Sequence, residues 1–127
     1  MKLYHGSPKK LEVIRPSQAK GMTLFENQKA IFLCKTFYHA ALYAIGKSLK
    51  GKTAFVVTPR RLIIIGKKKP KSGYVYMVDV KAKRGRIQQF SYSKSITKFE
   101  IKKVLPKDYI RNILYVKDLE ELKRYIK

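Results

Sequence analysis

Ala30-Ile31-Phe32-Leu33-Cys34-Lys35-Thr36, followed by Phe37 to Leu49, is the stretch on which the fold turns. Ala30 to Cys34 is a continuous apolar run of strand length. Such a run fits a strand buried on both faces. Thr36 is placed to cap a helix, because its hydroxyl can accept from a free amide of the first turn. Phe37, Ala40, Ala41, Ala44, Ile45 and Leu49 then recur at helical spacing, and Gly51 suits the stop. The reading is a buried strand leading into an amphipathic helix.

Strands dominate on either side. Leu3-Tyr4-His5 reads as a short strand closed by the turn Gly6-Ser7-Pro8. Leu11 to Ile14 is a strand or a turn, ended by Arg15-Pro16-Ser17, and Gln18 to Gln28 lacks periodicity and reads as a loop. Beyond the helix, Thr53 to Thr58 and Leu62 to Ile65 are β-branched strands separated by Pro59-Arg60-Arg61. Gly66 to Gly73 is a basic loop or hairpin connection, and Tyr74 to Val80 is a clear strand. Arg84-Gly85-Arg86 reads as a turn, and Gln88 to Ser95 as polar and irregular. Ile96 to Val104 reads as a strand ended before Pro106, and Ile110 to Val116 as the last strand. Asp118 caps a terminal helix, Leu119 to Ile126. The sum is one α+β domain, mostly strands, with a central and a C-terminal helix.

Composition narrows the classes. The chain has 127 residues, 45% hydrophobic and 12% aromatic, which is enough apolar material for a packed core. No apolar run approaches the roughly 18 residues of a membrane span, and Met1-Lys2-Leu3 runs straight into polar residues, unlike a secretory signal. A soluble, cytoplasmic protein without a membrane partner is the expectation. Cys34 is the only cysteine, so an internal disulfide is excluded. It ends an apolar run and reads as a buried thiol. His5 and His39 have no second ligand at metal-binding spacing, so no metal is expected.

Charge points to a partner. There are 30 Lys and Arg against 8 Asp and Glu, a formal net charge of +22. The three acids and three bases of the last ten residues cancel, so the whole excess lies before Asp118. Fields of this size attract polyanions, of which nucleic acid is the commonest in a cell. Tyr74, Tyr76, Phe90 and Tyr92 lie among the basic clusters, where rings could stack on bases.

Two residues stand out for chemistry. His5 ends a strand beside Gly6, so it reads either as a turn histidine or as a group pointing into a cleft that a ligand approaches along the backbone. Glu100 is the only acid between Asp79 and Asp108. It reads either as one half of a cross-strand ion pair or as a carboxylate that holds a hydroxyl and stabilises developing positive charge.

Leu3-Tyr4-His5-Gly6-Ser7 resembles the first motif of the diphtheria-toxin-like ADP-ribosyltransferases, which include the poly(ADP-ribose) polymerases. Ile31-Phe32-Leu33-Cys34 with Tyr38 to Tyr43 resembles the second motif, and Phe99-Glu100-Ile101 to Pro106 the third. The resemblance implies two packed, mostly antiparallel sheets with a central and a C-terminal helix. It implies NAD as substrate, with no metal. His5 would bind the adenosine ribose and Gly6 the nicotinamide amide, with Ser7 beside the ribose. Tyr43 would stack on nicotinamide and Phe32 would line the same site. Glu100 would be catalytic. Phe32 stands where the motif has tyrosine, and Ala40 where serine is frequent. The implied function is transfer of ADP-ribose to an acceptor, for which the +22 charge favours nucleic acid. The alternative is a non-catalytic nucleic-acid-binding protein on the same fold.

Overall fold

The structure, a computed structural model, describes residues 1–18, 29–49, 55–58, 60–85 and 89–125. It is a small α+β fold of two sheets and few helices. The larger sheet has the strand order β7 (Lys83–Arg84), β8 (Gln89–Tyr92), β3 (Lys29–Cys34), β1 (Lys2–Ser7), β6 (Gly73–Asp79) and β9 (Glu100–Val104), and β2 (Ser17–Gln18) pairs with β3. The smaller runs β10 (Ile113–Val116), β5 (Leu62–Ile65), β4 (Phe55–Val57). All pairings are antiparallel except β10 with β5.

Helix α1 (Phe37–Lys47) lies between the sheets. Its buried residues Ala40, Ala41, Ala44 and Ile45 pack with Leu62 and Ile64 of β5 and with Val75 and Val104 of the larger sheet. The approach to β1 and β6 is very close. A Cβ on Gly6 would overlap the Ala40 carbonyl oxygen, and one on Gly73 would lie 2.9 Å from the Ala44 carbonyl oxygen. Alanines on the helix and glycines on the strands together allow that spacing. The opposite face of the larger sheet carries a second core of Leu3, Ile31, Leu33, Tyr76, Val78 and Phe90, covered by Ile14 and Ile96, which pair with each other. Helix α2 (Leu119–Leu122) puts Leu122 against Ile63 and Val116 on the smaller sheet.

Several boundaries differ from the sequence reading. β1 continues through Gly6 and Ser7, because Ser7 still pairs with Tyr74 of β6. Leu11 to Ile14 contributes one bridge rather than a strand. Of the two readings for the connection from Gly66, the loop holds and the hairpin does not: it carries the chain from β5 in one sheet to β6 in the other. Gln89–Tyr92 is a strand, not irregular, since its backbone pairs with β3 on one side and β7 on the other. Only Glu100–Val104 of the expected Ile96–Val104 strand is regular, and Ile110 falls in a 3-10 helix, Pro106–Asn112. α1 ends at Lys47 with Ser48 as its cap. α2 is four residues long. Of the loop expected from Gln18 to Gln28, Gln18 instead pairs with Lys29 in β2, and the rest lies outside the described residues, as do Gly51, Thr53, Arg86, Gln88 and Ile126.

Candidate functional site

The site arises where two central strands part. β1 and β3 share only the Tyr4–Cys34 pairing, whereas β1 pairs with β6 along its whole length. Beyond Tyr4 the ladder with β3 is replaced by a side chain: His5 Nδ1 lies 2.9 Å from the Phe32 carbonyl oxygen. A carbonyl only accepts, so Nδ1 carries the proton and Nε2 keeps its lone pair. The gap opens into a cleft of about 540 Å³. Ligand sites of small molecules are commonly of this size.

Five of the residues singled out in the sequence meet in it: His5, Gly6, Ser7, Phe32 and Tyr43 all line the cleft. Tyr43 reaches it from α1. Its ring stacks on His39 with centroids 5.3 Å apart, and its hydroxyl accepts a 3.0 Å hydrogen bond from Gln89 Nε2. Among the other lining residues, Arg15, Lys47 and Gln89 bring charge or an amide to the cleft and escaped the sequence reading. Lys47 was findable, being one helical turn beyond Tyr43 on the same face. Gln89 was hidden by the irregular reading of its strand. Its signal was the two-residue alternation of Gln89 and Ser91 with Phe90 and Tyr92.

Glu100 is not part of this site. β9 pairs with β6 at Met77–Glu100, on the far side of β6 from β1. That is two strand spacings from β1, roughly 10 Å, with the cleft on the other side of β1. Its side chain is exposed, and among the described residues it has no ion-pair partner. Glu100, Lys102 and Lys103 are instead charges on an edge strand, where they disfavour pairing with another chain.

Among the described residues, Arg15 and Lys47 line the cleft and no Asp or Glu does. Burial, helped by the nearby Lys47 ammonium, lowers the His5 pKa to about 4, so the imidazole is neutral at neutral pH. Lys47 Nζ donates to the Gly6 carbonyl oxygen at 3.2 Å and sits 5.8 Å from the Tyr43 ring centroid. The residue touches water through the cleft mouth, yet the surrounding walls still desolvate the ammonium and lower its pKa; nearby Cys34 acts in the opposite sense. Cys34 is buried and free, and desolvation pushes its thiol up to about 12. It is therefore protonated at neutral pH and a poor nucleophile.

Among the described residues, no group of three or more His, Cys, Asp or Glu could hold a metal ion, and no helix is long and apolar enough to cross a membrane. No protein-family model, no curated protein and no solved structure matches the chain.

Proposed function

We propose that this protein binds a dinucleotide of the NAD class in the cleft between β1 and β3. The supporting observation is the convergence there of His5, Gly6, Ser7, Phe32 and Tyr43 with the cations Arg15 and Lys47. NAD presents flat rings, ribose hydroxyls and a pyrophosphate. The Tyr43 ring suits the nicotinamide face, and the backbone at Gly6, which has no ladder partner on β3, suits its carboxamide. His5 Nε2 is an acceptor for a ribose hydroxyl. Lys47 and Arg15 supply positive charge for the pyrophosphate.

Transfer of ADP-ribose, the activity that the resemblance implies, needs negative charge beside the ribose as nicotinamide leaves. Glu100 lies outside the cleft, and the side chain bonded to Tyr43 is the Gln89 amide, which offers only a dipole. The reading is therefore NAD binding without rapid transfer.

Thermal unfolding with and without NAD tests it. A ligand that binds only the native state raises Tm. NAD at about ten times its Kd should stabilise by about 1.4 kcal/mol, and Tyr43→Ala or Lys47→Met should abolish the rise. Nicotinamide release should be slow in the wild type, unchanged by Glu100→Gln and faster in Gln89→Glu. No Tm rise at millimolar NAD would overturn the binding reading. Rapid release that Glu100→Gln abolishes would overturn the chemical one.

A further inference from the structure

A second hollow, of about 380 Å³, lies beside the cleft. Lys81, Lys83 and Lys94 line it together with Ser91, Ser93 and Ala30. The three lysines come from separate places in the chain: before β7, on β7, and after β8. They converge because β7 and β8 pair antiparallel, with Lys83 opposite Ser91 on one face. Ser91 is only 5% exposed, so its hydroxyl belongs to the floor of the hollow rather than to the open surface. Among the described residues, no acid lines the hollow.

This hollow joins the cleft along β8. Gln89 and Ser91 are two residues apart, so they share a face and stand about 7 Å apart along the strand. Gln89 opens into the first cavity and Ser91 into the second, and Ala30 borders both. A group held by the three lysines would lie next to a ligand held by Tyr43 and His5.

We propose that the second hollow is a phosphodiester-binding subsite for a nucleic-acid strand. Three ammonium groups and two hydroxyls around one concavity are the chemistry of phosphate recognition. The hollow is larger than a single phosphate, and the +22 charge of the chain gives a field suited to a polymer of phosphates. The subsite does not depend on NAD binding; only its reading as the place of an acceptor strand rests on that proposal.

Fluorescence anisotropy with a labelled 15-nucleotide single strand, as RNA and as DNA, tests the subsite at about 100 mM salt. The combined Lys81→Ala, Lys83→Ala, Lys94→Ala variant should bind at least tenfold more weakly. Its salt dependence should flatten by about two log-log units, since each lysine lost from a phosphate removes about 0.7. A control combining Lys67→Ala, Lys69→Ala and Lys71→Ala removes the same charge from the connection between the sheets, and should bind within about twofold of wild type. All six lysines are exposed, so the variants should melt no lower than wild type. Equal weakening in the control, or no binding by the wild type, would overturn the proposal. The NAD-induced Tm rise, measured in the same variants, should persist, so the two proposals fail separately.

Discussion

Gly6 is the residue on which both packing and site depend. Its backbone packs against α1, and its carbonyl accepts from Lys47 at the end of the same helix. A methyl there would overlap the Ala40 carbonyl oxygen and lie 2.8 Å from the Ala44 nitrogen. Both are backbone atoms, which yield only if the helix moves. Gly6→Ala should therefore cost about 3 kcal/mol or more, at the upper end of overpacking. At this chain length that is roughly a 10 °C fall in Tm; a Tm within about 2 °C of wild type would show that α1 shifts freely. His5 makes a prediction of opposite kind. Burial holds its native pKa at about 4, below the ordinary histidine value of 6.5, so between those values the unfolded chain binds a proton that the native protein refuses. The native advantage is complete above about pH 6.5 and is lost as pH falls toward 4. The shift corresponds to at most about 3 kcal/mol. Denaturant unfolding of wild type and His5→Gln across this range should give a difference that shrinks as pH falls; a constant difference would mean that the imidazole is not desolvated.

At the scale of elements, α1 shows local code and tertiary demand in agreement. The Thr36 side chain accepts from the His39 amide at 3.2 Å, as an N-cap should. Thr36→Ala should lower stability by about 1 kcal/mol, read from the denaturant midpoint at unchanged slope, whereas Thr36→Ser should be near neutral. The cap, the alanine face and the preceding apolar strand were all legible, because each is a pattern of a few neighbouring residues. β8 was not. Gln89–Tyr92 carries two polar residues, and its strand character comes from lying between β3 and β7. β9 was legible as a strand but not as an edge, and that difference removed Glu100 from the site. A strand's neighbours are set by long-range pairing, so a lone acid on it reads alike at a cleft and at an edge.

At the scale of the molecule, charge dominates. Only two ion pairs occur among the described residues: Met1 with Asp79, and Lys123 with Glu120. The large excess of cations, a net charge of +22, repels itself across a small surface, a cost that salt screens. Raising sodium chloride from about 20 mM to about 300 mM should therefore raise Tm by several degrees, as the Debye length falls well below 10 Å. A flat or falling Tm would mean that bound counterions already neutralise the surface. Such screening opposes binding of a polyanion, so stability and nucleic-acid affinity should move in opposite directions with salt.

Taken alone, the order of residues determined the α+β class, the strand–helix core around Ala30 to Leu49, the capping of α1 and the excess of positive charge. Each follows from composition or from residues within a turn or two of one another. Only the tertiary structure decided that β1 and β3 part after Tyr4, that Gln89 rather than Glu100 faces Tyr43, and that three lysines from separate segments surround one hollow. Those outcomes depend on which strand lies beside which, and hydrogen bonding between backbones far apart in the chain leaves little local mark in the side chains.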